Sequence, residues 1–265
     1  MGPACLILAF FAAFGPPAVS DPVRSHARPV LIAEHERLVP GKTTYLGVTF
    51  EIDERWHIYW DGLNDGGVPP KFEWTLPPGF EIGPLEWPAP TRIVLPGDLV
   101  DHVYEGRVTI LVPLRVPTSV PDGQIVEINA EAKWLVCKDV CLPGSGTLRL
   151  ACPVGLDAGK ATSPTVFASA RARIPKPIPI NSSVVIVRRT AGSLEIESAG
   201  ATGLSFYPYA WSAQMTDPAR SGVSESDILR LAFDAETAGS QPRIGGIIEI
   251  RRTGHEPEFF TFESR

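Results

Sequence analysis

Val126-Glu127-Ile128-Asn129-Ala130-Glu131-Ala132-Lys133-Trp134 is the stretch that decides the fold. Apolar and polar side chains alternate through it, so Val126, Ile128, Ala130, Ala132 and Trp134 share one face of a strand, with Glu127, Asn129, Glu131 and Lys133 on the other. Such a strand is buried on one side and wet on the other, as in an antiparallel sheet. Just upstream, Val108, Ile110, Val112, Leu114 and Val116 repeat the pattern. Further strands are expected at 29–38, 43–52, 56–60, 71–76 and 147–152. The chain's 27 prolines and 24 glycines supply the turns, and no sustained helical period precedes residue 160. Seven or eight short strands at this spacing predict an all-β sandwich.

Beyond the sandwich, residues 163–173 predict a short helix, with Ser163 as its cap, Pro164 at its first position and Pro175 as its stop. Pro175, Pro177 and Pro179 then predict a stiff extended connector. Strands are expected again at 183–188, 193–197, 204–207, 228–233, 247–251 and 259–262. The organisation expected is a leader at 1–20, a sandwich at 21–155, a helix and Pro-rich linker at 156–180, and a second, smaller β-domain at 181–265.

Residues 1–20 contain no charged side chain, and the run Leu6 to Phe14 is apolar before the small residues Ala18, Val19 and Ser20. This is read as a secretory signal cleaved before Asp21, and Cys5 is discarded with it. No later segment approaches membrane-spanning length, since charge, Pro or Gly interrupts every other apolar run. The formal net charge is −6, and the acid excess falls before residue 156. Neither half offers a basic footprint for nucleic acid. No spacing of the five histidines and the acids suggests a hydrolase, and no cofactor or metal site is expected.

At the end of the best-patterned strand stands Trp134-Leu135-Val136-Cys137-Lys138-Asp139-Val140-Cys141. Two cysteines four apart can close a disulfide across a tight turn. So small a ring contributes only about 2 kcal/mol in the loop-entropy model, so stability is a weak reason for the pair. If Trp134 and Val136 point inward, Cys137 points outward, where a partner could reach its sulfur. Three readings of the spacing stay open: thiol–disulfide exchange, a structural bridge, and a soft copper site completed by His57 or His102.

Several motifs in order then add a resemblance: Trp56-His57-Ile58-Tyr59-Trp60, Asn64-Asp65-Gly66-Gly67-Val68-Pro69-Pro70, Trp87-Pro88-Ala89-Pro90, Val103-Tyr104-Glu105-Gly106, and the cysteine stretch itself. Over about residues 30–152 the chain resembles the N-terminal periplasmic domain of the thiol:disulfide interchange protein DsbD, in the variant found in copper-sensitivity suppressor proteins. The resemblance implies an immunoglobulin-like sandwich in the periplasm and makes Cys137 and Cys141 the redox pair of a protein-disulfide reductase system. It implies thioredoxin-fold periplasmic partners and a separate membrane protein as electron donor. It also implies a cap loop at 98–104, with Asp101 and His102 beside the thiols and Tyr104 at the partner-binding surface. A copper-tolerance protein and a structural interaction module are the alternatives.

Three other features have plainer readings. The Asn64 to Pro70 stretch lacks a full acidic ligand set and is read as a rigid turn. Trp56, Trp60, Trp74 and Trp87 are expected to pack the core. Cys152, in an apolar strand, is expected to be a buried inert thiol.

Overall fold

The computed structural model describes residues 26–179, 182–190, 192–233 and 243–264. The expected leader and Cys5 lie outside them. The first half is a sandwich of two sheets. One has the order β1 (Ala27–Ala33), β2 (Thr43–Ile52), β8 (Arg107–Arg115), β5 (Glu81–Ile82). The other runs β10 (Cys141–Pro153), β9 (Ile125–Cys137), β3 (His57–Tyr59), β7 (Leu99–Glu105), β6 (Thr91–Leu95), with β4 (Lys71–Thr75) also pairing with β9.

The alternating stretch behaves as its pattern requires. Val126, Ile128, Ala130, Ala132, Trp134 and Val136 are buried in the main core opposite Leu46, Val48 and Phe50 of the facing sheet. In β8 the inward set Val108, Ile110, Val112 and Leu114 is also buried, but the outer face is not wet. Helix α1 (Pro164–Ala172) lies over it and encloses Leu111 with Phe167 and Ala170. Arg171 fastens the helix by donating two hydrogen bonds to the Glu34 carboxylate, at 2.5 and 2.9 Å. Pro164 occupies the first turn as expected, whereas Ser163 makes no side-chain cap bond.

The second half has a five-stranded sheet, β11 (Lys176–Pro177), β18 (Glu258–Glu263), β17 (Gly245–Arg251), β14 (Gly203–Pro208), β15 (Val223–Ser224). Against it lies a three-stranded sheet, β12 (Ile186–Arg189), β13 (Ser193–Glu197), β16 (Ile228–Ala232). Between them sits a second core containing Leu194, Ile196, Phe206, Leu229, Leu231 and Ile248. The Pro-rich connector is not a free spacer, because Lys176 and Pro177 pair in parallel with Phe260 and Thr261 of β18. An edge strand tolerates Pro, which has no amide hydrogen to offer a further neighbour.

The halves are laced together. Tyr207, Ile247 and Phe259 of the second half join the main core. Arg92 on β6 donates to the carbonyls of Pro218 and Ala219, both at 2.7 Å, in the short helix α2 (Pro218–Ser221). The His102 ring meets Trp60 and Tyr207 edge to face, and its Nδ1 lies 2.7 Å from the Leu63 carbonyl. Burial drives the imidazole down to a pKa of about 4.

Two outcomes follow from this packing. Phe167→Ala empties the space under α1 and should lower unfolding free energy by about 3–5 kcal/mol in urea titration. His102 has its pKa depressed on folding, so its contribution is complete above about 6.5, the unfolded value, and is lost as pH falls to about 4. Unfolding free energy should therefore drop by about 3 kcal/mol from pH 7 to pH 4 through this residue, and His102→Gln should abolish that share of the drop.

Candidate functional site

The placement of the sulfurs follows from strand parity. With Trp134 and Val136 in the core, Cys137 emerges on the outer face of the sheet, as expected. Its sulfur is nonetheless not freely reachable, since Cys137 is only 2% exposed. The reason is its neighbours: Tyr59 on the adjoining β3 and Val103 on β7, one strand further, pack against it, with Ile93 and Leu135 at the margin. The two cysteines are directly opposed residues at the end of the β9–β10 hairpin and are joined by a disulfide. Cys141, on the far side of the three-residue turn, is exposed. Only one end of the bond therefore faces solvent.

Tyr59 is the side chain that motif reading left out of the site. It sits on β3 beside β7, and its hydroxyl lies 3.7 Å from Cys141 Sγ. Burial, with the Asp101 charge adding, pushes its pKa up to about 12, so the phenol keeps its proton at neutral pH. The ring is covered by the 61–70 segment. A Cβ on Gly67 would stand 2.1 Å from Tyr59 Cζ, so only glycine allows the backbone to approach so closely. The turn expected here is thus a lid on the tyrosine, and the Gly-Gly pair was the signal that could have revealed it.

That lid is tied to β7 by a ladder of polar contacts. Asn64 Oδ1 accepts from the His102 amide at 2.8 Å, Asp65 Oδ2 from the Val100 amide at 2.7 Å, and Asp101 Oδ1 from the Gly66 amide at 2.8 Å. The cap loop implied for 98–104 is consequently not a loop. Residues 99–105 form β7, an inner strand between β3 and β6, and the covering element is the 61–70 segment that they anchor.

Of the expected neighbours, the structure brings Asp101 to the sulfur side and sends His102 and Tyr104 to the other. Asp101 is fully buried, and its Oδ2 has no hydrogen-bond partner among the described residues. Its charge bears on both Tyr59 and His57. His57 is paired in register with Cys137, stands edge to face with Tyr59, and has an Nε2 with no hydrogen-bond partner among the described residues. Burial holds its pKa below the usual imidazole range, against the pull of Asp101 and Glu105. Successive strand residues face opposite ways, so His102 turns to the second half of the chain. For the same reason Tyr104 packs in the sandwich core, where its hydroxyl donates to the Pro88 carbonyl at 2.5 Å. Cys152 is buried without a disulfide, and burial raises its pKa.

Among the described residues no group of three or more His, Cys, Asp or Glu side chains could hold a metal ion. No described helix is long and apolar enough to cross a membrane. Chemically, the site offers an unequal choice to an incoming thiolate: a sulfur on an exposed residue, a sulfur on a buried one, and a protonated hydroxyl beside the former.

Comparison with known proteins bears on this geometry. The N-terminal periplasmic domain of ScsB from Proteus mirabilis superposes with a TM-score of 0.59 at 15% identity, covering 92% of this chain and 96% of that one. At that identity the likeness speaks for the fold, all-β and immunoglobulin-like. A protein of unknown function from Porphyromonas gingivalis W83 and Spo0M from Bacillus subtilis, both 11% identical, match with TM-scores of 0.25 and 0.24. They cover 89% and 90% of this chain and 95% and 91% of their own, and at such scores they carry no argument. No curated protein sequence matches. Residues 28–152, which hold nearly all of both sheets of the sandwich and both sulfurs, match the family described as thiol:disulfide interchange protein DsbD, N-terminal.

Proposed function

We propose that the chain performs thiol–disulfide exchange outside the cytoplasm, relaying electron pairs between a membrane donor and thioredoxin-fold periplasmic proteins through Cys137 and Cys141. The observation that carries this reading is the asymmetry of the bond, with Cys141 exposed and Cys137 covered, in a segment that matches the DsbD N-terminal family.

In the reducing direction, the Cys141 thiolate attacks one sulfur of a partner disulfide. A Cys141–partner bond forms, and the partner's other sulfur leaves as a thiolate. Cys137 then attacks Cys141 Sγ, restoring the internal disulfide and releasing the partner with two electrons more. Reversal of these steps reloads the pair from a donor dithiol. The Tyr59 hydroxyl, protonated and 3.7 Å from Cys141 Sγ, donates to the thiolate form and so favours it. Asp101 and His57 line the covered side, where the Cys137 proton must come and go.

The direct test is trapping. Cys137→Ser keeps the exposed thiol and removes the resolving one, so it should accumulate a mixed disulfide with a thioredoxin-fold protein, seen on non-reducing gels. Cys141→Ser leaves only the covered sulfur and should accumulate none. The wild-type pair, equilibrated in thiol buffers, should titrate at roughly −180 to −270 mV. A value below about −300 mV would mark a structural bond and end the proposal. Tyr59→Phe should slow alkylation of Cys141 in Cys137→Ser by about tenfold at pH 7, measured by mass spectrometry.

A further inference from the structure

A groove of about 430 Å³ opens between the two halves, on the side away from the sulfurs. Trp60, Asp61, Glu86 and Trp87 enter it from the sandwich, Tyr209 and Trp211 from the second half. Three of its rings form a continuous row: Trp60 and Tyr209 have centroids 5.9 Å apart at 37°, and Tyr209 and Trp211 lie 5.5 Å apart at 35°. The row passes from floor to lip, since Trp60 is 2% exposed and Trp211 40%. Packing the core accounts for Trp60 but not for a tryptophan left this open.

Two features fix what such a row can hold. Aromatic faces carry negative potential and attract cations, and this row already holds one at its outer end, where the Arg243 guanidinium stacks 4.0 Å over Trp211. The walls are acidic. Asp61 pairs with no Lys, Arg or His among the described residues, while Glu86 accepts from the Tyr45 hydroxyl at 2.9 Å and feels the charge of Arg171, so Asp61 is the carboxylate open to a guest. Partial desolvation holds the Asp61 carboxyl above its ordinary pKa, the behaviour of a carboxylate that lacks a counter-charge. A cation over the rings would gain from that carboxylate, which water still reaches, and an anion would be repelled.

We propose that the Trp60–Tyr209–Trp211 groove binds an organic cation, a quaternary ammonium or a guanidinium, with its charge over the rings and beside Asp61. The volume lies in the range of small-molecule sites. The site is independent of the disulfide, so it stands or falls apart from the exchange reaction.

The test is a titration of the full chain at fixed ionic strength, read by tryptophan fluorescence, with choline, N-acetylargininamide, and the uncharged choline isostere 3,3-dimethylbutan-1-ol. A saturable change in the range of about 1–10 mM is expected for at least one cation and none for the isostere. Tighter binding of choline assigns a free ammonium, and tighter binding of N-acetylargininamide assigns an arginyl side chain of a protein. Asp61→Asn and, separately, Trp211→Leu should each weaken binding by at least about tenfold, with unchanged thermal unfolding as the control on folding. Equal binding of the isostere, unaltered affinity in both variants, or no saturation by either cation overturns the proposal.

Discussion

Side-chain alternation along β9 is the constraint on which the site depends. Six buried side chains from Val126 to Val136 fix which way the strand faces, and a slip of one residue would move all of them into solvent. Because that register is held by the core, the residue after Val136 must emerge on the opposite face. Cys137 therefore owes its position to the hydrophobic effect acting on its neighbours, and no interaction of its own is needed to hold it there. Its partner then follows from the hairpin, whose pairing sets Cys141 opposite Cys137.

The same rule distributes the residues of β7. Asp101 and Val103 fall on the sulfur side, while His102 and Tyr104 turn away, one toward the second half and one into the sandwich. Adjacent positions in a strand thus serve different tasks. The Asp101 charge bears on Tyr59 and His57, and His102 helps hold the halves together. The Asn64, Asp65 and Gly66 contacts join these tasks, since the lid over Tyr59 hangs from the backbone of the strand that also meets the second half.

Much of this was legible in the sequence because period-2 alternation reports burial directly. β2 and β13 run 43–52 and 193–197, as the pattern predicts, and the inward sets of β8 and β9 are those that pack. What escaped was decided by tertiary contact. The pattern predicts no strand at β6 or β7, whose residues carry no clean alternation about the turn at Pro96, Gly97 and Asp98, and the loop at 98–104 comes from the resemblance alone. Both faces of β7 are covered by protein, so its polar residues do not mark a wet side. The cover over Cys137 comes from Tyr59 and Val103, distant in sequence, and strand parity alone says nothing about distant neighbours. The Gly-Gly pair was visible, but its meaning depended on a ring eight residues earlier.

The short parallel pairing of Lys176 and Pro177 with β18 also bears on the order of folding. β11 enters the second sheet immediately after the sandwich and α1, yet its partner is the last described strand of the chain. The sheet's first strand cannot dock until its final one is available, so the second half is a unit of long sequence separation, closed by its end. The sandwich, whose strands are all complete by residue 153, has no such dependence. A chain emerging from its N-terminal end would form the disulfide hairpin first and acquire the second half's contacts with the Tyr59 lid last.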